Sequence, residues 1–226
     1  MSDHEAEYVR GLPEALPEGE RILWQGVPGW APLARTAFHV RGLSLYFAVL
    51  MLLRAVTVLW SGGSVAQAAV AMLWLLPLAG AAIALLYVVA WLTARATVYT
   101  ITNKRVVMRI GVVLEITLNF PFRVIESAGL RTFADGTGDI PLVLSGEDKV
   151  AYVHLWPHAR PWRAARPEPM LRSVPEAVRV AELLARALAA YSGVPARPFA
   201  DASNLNASND AHEPAAEASP FATAAR

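Results

Sequence analysis

The feature that most constrains this chain is a long stretch without acidic residues, since no Asp or Glu occurs from Arg21 to Leu114. Two apolar segments lie within it: Gly42–Trp60, with the single charge of Arg54, and Val65–Ala94, with no charge. A helix needs roughly 20 apolar residues to cross a bilayer, so each segment is long enough for one span. Hydrophobic residues make up 55% of the chain and charged residues 17%, which excludes a disordered chain and disfavours an ordinary soluble domain.

The two segments predict a two-span helical hairpin over residues 42–94, because the residues between them, Ser61–Ser64, have turn composition. Pro77 predicts a kink in the second span. Arg and Lys flank the two spans on their open side and the connecting loop has no charge, so we expect both termini in the cytoplasm. The alternative is a pair of buried helices in a large soluble core.

Beyond Ala94 the apolar pattern becomes that of β-strands. Thr97–Thr102 and Arg105–Ile110 are rich in β-branched residues and flank a two-residue turn, and Val112–Phe120 alternates with period two. Shorter β-like runs follow at Arg123–Glu126, Ile140–Leu144 and Val150–Trp156. These runs predict a small barrel or sandwich.

One amphipathic helix is predicted to close this domain. Ser173–Glu176 reads as a capping box, an apolar stripe follows it, and Gly193 stands at a C-cap position. We therefore expect four regions: an acidic cytoplasmic arm (1–41), the two spans (42–94), a β-domain with its helix (95–193) and a disordered tail (194–226) that is rich in Ala, Ser, Asn and Pro.

Two motifs resemble those of bacterial PH-like membrane proteins. The segment Thr97–Gly111, TVYTITNKRVVMRIG, resembles the Y-x-(I/V)-T-(N/D)-x-R strand and turn that follow a transmembrane hairpin in that family. Leu16–Gly26 resembles the G-E-x-(I/V)-L stretch that precedes it. The resemblance covers about residues 12–192 and implies a cytoplasmic PH-like domain. The fold alone says little about function.

Further segments are similar to photosynthetic assembly members of this family from purple bacteria, encoded near the reaction-centre H subunit. They are the opening from Asp3 to Gly26, the run His154–Trp162 and the run Arg166–Arg172. This resemblance implies a non-catalytic assembly factor in the bacterial inner membrane. The implied partners are reaction-centre or light-harvesting subunits together with membrane lipids. The alternative is a general lipid- or protein-binding module with no photosynthetic client.

Candidate contact residues occur in both spans. Arg54 has no acidic partner within the spans, so it could meet a partner's carboxylate or a lipid phosphate, or its side chain could snorkel to the far surface. Gly80 and Ala84 stand four residues apart, a spacing that lets helices approach closely. Their partner could be the first span, a second copy of the chain or a client helix.

Two basic regions outside the spans are further candidates. The segment Val153–Arg172 interleaves aromatic and basic residues, which suits a headgroup surface or a protein interface, although a solvated basic loop is equally consistent. Its candidate contacts are Trp156, Arg160, Trp162, Arg163 and Arg166. Lys104, Arg105 and Arg109 are expected to face the bilayer and favour the lipid-binding alternative. Nucleic acid is not an expected partner beside two membrane spans.

No catalytic or metal-binding pattern is recognisable in the sequence. The chain has no cysteine, which excludes thiolate chemistry, and it lacks the common hydrolase, phosphate-loop and dinucleotide motifs. The acids of the β-domain, Asp135 and Asp139 among them, are expected on outer faces or in turns. His154 and His158 are separated by Pro157, which breaks a shared helical face, and His39 is read as an interfacial residue. We therefore expect no cofactor, no metal and no enzymatic activity.

Overall fold

The computed structural model describes residues 16–145, 152–161 and 167–193. Six helices and eight strands are labelled here in chain order. They are β1 (Ile22–Gly26), α1 (Trp30–Thr36), α2 (Val40–Trp60), α3 (Val65–Leu73), α4 (Leu76–Ala96), β2 (Val98–Thr102), β3 (Arg105–Ile110), β4 (Ile116–Pro121), β5 (Ile125–Ala128), β6 (Arg131–Thr132), β7 (Gly138–Leu144), α5 (Tyr152–Leu155), β8 (Met170–Val174) and α6 (Ala177–Ser192).

Helices α2, α3 and α4 form the helical hairpin that the sequence predicts. Helix α2 and the 32-residue stretch Val65–Ala96 are both long and apolar enough to cross a membrane. Only 11% and 6% of their most apolar windows are buried inside the protein, so they are not core helices of a soluble domain. The Ser64 hydroxyl and the Gln67 side chain cap α3 reciprocally.

The second stretch is interrupted between α3 and α4, where the sequence predicts a kink. Pro77 lies in the first turn of α4 and has no backbone N–H to donate to the carbonyl of Leu73, which ends α3. Trp74 and Leu75 make the connecting turn.

The strands form two antiparallel sheets around one core. The first has the order β1-β2-β3-β4, and in the second β7 pairs with β5, β6 and β8. Side chains from both sheets and from α6 share a single apolar cluster, which includes Tyr99, Ile101, Leu142 and Leu184. We call the eight strands and α6 the sheet module. Its described strands make two sheets rather than one continuous barrel.

Several elements differ from the sequence prediction. Within the predicted strand Val150–Trp156, the described residues Tyr152–Leu155 form a short helix, and the strand predicted from Val112 begins only at Ile116. Ser173 does not cap α6, because its backbone N–H donates to Asp139 in the second sheet and the helix begins at Ala177. The predicted C-cap at Gly193 is confirmed by its left-handed φ of 67°.

From residue 16 onward, the chain before the spans is part of the fold and not a separate arm. Strand β1 pairs with β2, so the two ends of the helical hairpin meet in one sheet. Helix α1 packs against α4, where Trp30 meets Tyr87 edge-on with ring centroids 6.3 Å apart. Residues 1–15 and 194–226 lie outside the described residues, and so does the predicted disordered tail.

Candidate functional site

The helical hairpin presents a large apolar surface. Many of its large side chains are more than half exposed, among them Leu52, Leu73, Trp74 and Leu85. Soluble monomers rarely expose a continuous apolar patch of this kind, and such patches mark membrane or protein contacts. The helical hairpin is therefore the first candidate interaction surface.

Gly80 and Ala84 lie on the open side of α4. Both are exposed, and a Cβ placed on Gly80 would meet no atom within 4 Å. The small residues that α4 turns inward are instead Ala79, Ala90, Thr93 and Ala94, which are buried. Packing against the first span therefore does not account for the Gly80–Ala84 pair, and the open face leaves room for another helix.

Arg54 lies on an exposed face of α2 and lines a groove between α2 and α3. The groove has a volume of about 800 Å³ and includes Ser61 and Gln67 near the connecting loop and Trp74 at the far end of α3. Arg54 lies toward the loop end of the helical hairpin, where a long basic side chain can reach a polar surface.

The three basic residues of the first strand pair do not share one surface. Lys104 and Arg105 follow β2, whereas Arg109 pairs with Val98 at the end of β2 that joins α4. Five strand residues separate the two ends by about 16 Å. Arg105 also forms an ion pair with Glu20 at 2.7 Å, and Arg109 forms one with Glu115. Only Arg109 therefore lies at the helical end of the sheet, contrary to the expectation that all three face the bilayer.

The aromatic and basic segment is divided between surface and interior. Trp156 is 55% exposed and packs edge-on against Phe38 at a ring-centroid distance of 5.8 Å. Arg160 is instead buried and ion-paired with Glu168 at 2.6 Å. A side chain buried in this way cannot serve as the surface contact that the sequence suggests. Trp162, Arg163 and Arg166 lie outside the described residues.

A buried polar network lies where α4 joins the sheet module. The Tyr99 hydroxyl is 2.6 Å from Nδ1 of His158, and the Thr97 hydroxyl is 3.2 Å from Nε2 of the same ring. Thr97 donates to the Thr93 carbonyl at 2.8 Å, and the backbone N–H of Arg172 donates to the Tyr99 oxygen at 3.1 Å. Each of these groups has a partner of the right kind when the Tyr99 hydroxyl donates to Nδ1 of His158 and the Nε2–H of His158 donates to the Thr97 oxygen.

The electrostatics of this network keep the imidazole neutral. Burial, assisted by the nearby Arg172 charge, lowers the pKa of His158 to about 3. Burial raises the pKa of Tyr99 and that of the Asp139 carboxyl, although Arg172 partly opposes the second shift. The expectation that Asp139 lies on an outer face or in a turn is wrong, because its carboxylate is buried and accepts the Ser173 N–H at 2.8 Å. Asp135 does make the expected turn, in which it accepts the N–H of Thr137.

The network joins elements that are distant in sequence. The Arg172 guanidinium donates to the carbonyl of Pro157 at 2.9 Å and to that of Thr36 at 3.4 Å, which ties α1 to β8. Sequence reasoning missed this site because its contacts join residues from four distant parts of the chain, and the longest of them, from Arg172 to Thr36, spans 136 residues. The network can hold the sheet module in a fixed position on the helical hairpin.

None of the described residues forms a recognisable metal centre. Among them there is no group of three or more His, Asp or Glu side chains that could hold an ion. Both ring nitrogens of His158 already have hydrogen-bond partners, and Nδ1 of His39 lies 3.2 Å from the carbonyl of Ala37. The side chain of His154 lies outside the described residues.

An apolar helical hairpin joined to two small antiparallel sheets and a closing helix is the architecture expected for a PH-like membrane module. The family model for the bacterial PH domain matches residues 41–188, and the chain belongs to this family. It is also similar to an uncharacterized 23.7 kDa protein in the puhA 5′ region of Rhodobacter capsulatus. The two are 40% identical over 203 residues, which cover 86% of this chain and 92% of the relative. No solved structure matches the chain significantly.

Proposed function

We propose that this protein is a membrane-anchored assembly factor for the photosynthetic reaction-centre/light-harvesting complex and acts through protein contacts without catalysis. The observation that most supports membrane anchoring and contact through helices is the apolar surface of the helical hairpin, which the rest of the described chain leaves largely uncovered. A bilayer and the helices of a client are the two environments that such a surface suits.

The photosynthetic client is supported by two similarities. The relative in Rhodobacter capsulatus is named for its position in the puhA 5′ region. The sequence of this chain is similar to assembly proteins encoded near the reaction-centre H subunit. The relative's name states no activity, so the assembly role rests on its genomic position and on this resemblance.

In this proposal both spans cross the bacterial inner membrane and the sheet module lies in the cytoplasm. Arg35, Arg41, Arg95 and Arg109 lie at the end of the helical hairpin that carries the module, whereas the loop Ser61–Ser64 has no charge. This asymmetry is the one that the positive-inside rule associates with a cytoplasmic module.

The open face at Gly80 and Ala84 is the proposed contact for a client helix. Small residues let two helix backbones approach closely, and no atom of the described chain fills the space over Gly80. A second copy of this chain is the other occupant that the same face accepts. Trp156, exposed beside Phe38, extends the proposed contact surface onto the cytoplasmic side.

Deletion and complementation in a photosynthetic host test the proposal. We expect the deletion strain to show reduced reaction-centre absorption, and the wild-type gene to restore it. A Gly80→Leu/Ala84→Leu variant should restore it poorly, because the added side chains block close approach. An Ala48→Leu variant is the control, since it adds the same side chain at an exposed alanine of α2.

An immunoblot of the membranes shows whether each variant accumulates to the wild-type level. Normal reaction-centre levels in the deletion strain would contradict the assembly function. Equal restoration by both leucine variants, with both present in the membrane, would contradict the proposed helix contact.

A further inference from the structure

The loop between β3 and β4 has an unusual surface. Val112, Val113 and Leu114 follow one another and are 46%, 89% and 79% exposed. A single exposed apolar side chain is ordinary on a protein surface, whereas three in succession at the tip of a loop call for a cover. We call Val112–Leu114 the apolar loop.

The apolar loop leaves the sheet at the end that joins the helical hairpin. Arg109, near the end of β3, pairs with Val98, and Val98 is two residues beyond the end of α4. A cavity of about 260 Å³ lies between the last turns of α4 and the loop. Its lining includes Leu92 and Arg95 from α4 and Val112 and Glu115 from the loop and its base. The loop therefore lies beside the end of the proposed second span.

The loop has a defined shape. Gly111 has a φ of +112°, and a Cβ at this position would overlap the carbonyl of Leu114, so the loop folds back tightly on itself. Arg109 and Glu115 form an ion pair across its base, and Ile110 pairs with Ile116 below it. Charged groups at the base and apolar groups at the tip match the change from lipid headgroups to hydrocarbon.

Trp91 and Arg95, near the end of α4, lie beside the base of the apolar loop. Arg95 stacks over the ring of Trp91, with its guanidinium carbon 5.5 Å from the ring centroid. Trp and Arg are favoured where hydrocarbon meets headgroups. The base of the apolar loop lies beside Arg95, so its tip can reach the edge of the hydrocarbon on the same side of the membrane.

We propose that the apolar loop inserts into the bilayer leaflet next to the sheet module and holds the module against the membrane surface. This inference rests on the proposed membrane crossing of the helical hairpin. It assigns the lipid contact of the module to the apolar loop, with Arg109 at its base, and not to the turn at Lys104 and Arg105. That turn lies at the opposite end of β2 and β3.

Site-specific fluorescence can test the insertion because the native chain has no cysteine. Three single variants of the full chain, Val113→Cys, Lys104→Cys and Leu52→Cys, are labelled with an environment-sensitive dye. All three positions are exposed in the protein. The labelled proteins are reconstituted in phosphatidylcholine/phosphatidylglycerol vesicles that contain lipids with a nitroxide quencher at a shallow or a deep position.

We expect the dye at Val113 to emit at shorter wavelength than the dye at Lys104 and to be quenched most by the shallow nitroxide. The dye at Leu52 should be quenched more by the deep nitroxide, and the dye at Lys104 by neither. A dye at Val113 that behaves like the one at Lys104, while Leu52 is quenched, would overturn the loop insertion and leave the membrane crossing intact.

Two other outcomes are also decisive. A blue shift at Val113 without lipid quenching would mean that protein covers the loop, most simply a second copy of the chain, and would overturn the inference. An unquenched dye at Leu52 would instead contradict the membrane crossing on which both proposals depend.

Discussion

Ile101 in the sheet module and Leu52 in the helical hairpin are aliphatic side chains of equal size, yet the first is fully buried and the second is 62% exposed. The same contrast holds across the two regions. In the sheet module two sheets and α6 cover the apolar side chains, whereas in the helical hairpin few neighbours cover them. The sheet module therefore covers its own apolar side chains, whereas those of the helical hairpin need a cover from outside the described chain, a bilayer or another protein.

Polar groups show the reverse contrast. The region where the sheet module meets the helical hairpin buries Tyr99, His158, Asp139 and Arg172, and each of these side chains makes a hydrogen bond there. Within the apolar segments Gly42–Trp60 and Val65–Ala94, Arg54 is the one charged side chain, and it lies on an exposed face toward the loop end of α2. The module therefore has a fixed polar interior at the point where it meets the helical hairpin.

The largest expected effect concerns the buried ion pair of Arg160 and Glu168. A Glu168→Leu substitution removes the carboxylate and leaves the guanidinium in a site that is only 8% exposed, which should cost about 3–5 kcal/mol of unfolding free energy. Denaturant unfolding in mild detergent measures the loss. A Glu176→Ala variant breaks the exposed pair with Arg179 and should leave the stability nearly unchanged.

The same pair of variants separates a structural role from a surface role for Arg160. If Glu168→Leu keeps the wild-type stability and weakens lipid or client binding instead, Arg160 is a surface contact. Such a result would contradict the assignment of Arg160 to the protein interior.

The second prediction compares the two aliphatic side chains directly. Ile101→Ala removes buried apolar atoms from the shared core and should lower the unfolding free energy of the sheet module by about 2–5 kcal/mol. Leu52→Ala should change it far less, since Leu52 has little contact within the chain. Equal losses in the two variants would show that the helical hairpin and the module share one water-excluding core.

The third prediction concerns the hydroxyl of Tyr99, which joins two partners. In a Tyr99→Phe variant the backbone N–H of Arg172 and Nδ1 of His158 both lose this bond inside the protein. We expect a loss of about 1–3 kcal/mol, measured by the same unfolding assay. Tyr191→Phe is a suitable control because Tyr191 is half exposed on α6, and a similar loss there would refute the special role of the network.

The smallest predicted effect is the pH dependence due to His158. Its folded pKa of about 3 lies below the usual unfolded value of about 6.5, so the unfolded chain binds the proton first as the pH falls. The contribution of neutral His158 to the unfolding free energy is complete above the pKa of the unfolded histidine, and it decreases as the pH falls toward the pKa of His158 in the folded protein. Between pH 7 and pH 6 the loss should be roughly 0.5–1 kcal/mol.

A His158→Gln variant isolates this contribution, because the other titrating groups remain in both proteins. The variant should lose less stability over the same pH interval than the wild type. Equal slopes in the wild type and His158→Gln would contradict a buried neutral imidazole.

Local patterns were sufficient to predict much of the fold. The helical hairpin follows from two long apolar runs, and strands β2 and β3 follow from β-branched runs on either side of the turn at Asn103 and Lys104. Pro77 located the interruption of the second span to within a few residues, because a missing backbone donor acts on the preceding turn.

Features that depend on distant partners could not be predicted in this way. Strand β1 is five residues long and is stabilised by pairing with β2 about 75 residues later. Ser173 fits a local capping pattern, yet its N–H is taken by Asp139 from β7. Arg160 stands in a segment that interleaves arginine and tryptophan, and only the folded structure shows that Glu168 meets it in the interior.

The positions of the candidate contact residues were easier to predict in the spans than in the module. Gly80 and Ala84 could be selected because helical spacing places them on one face, although the sequence does not tell whether that face is open. The apolar loop was misread as part of a strand, since Val112 and Leu114 continue the alternation of β4. The tight turn that begins at Gly111 takes Val112–Leu114 out of the strand, which starts only at Ile116.

The most direct test of the proposed assembly function is to purify the tagged protein from native photosynthetic membranes in mild detergent and to record an absorption spectrum of the eluate. Our account predicts co-elution of reaction-centre or light-harvesting polypeptides with their pigment bands, and their loss in the Gly80→Leu/Ala84→Leu variant. An eluate that contains only this protein and lipid would contradict the assembly function and would favour a general lipid-binding module of the same family.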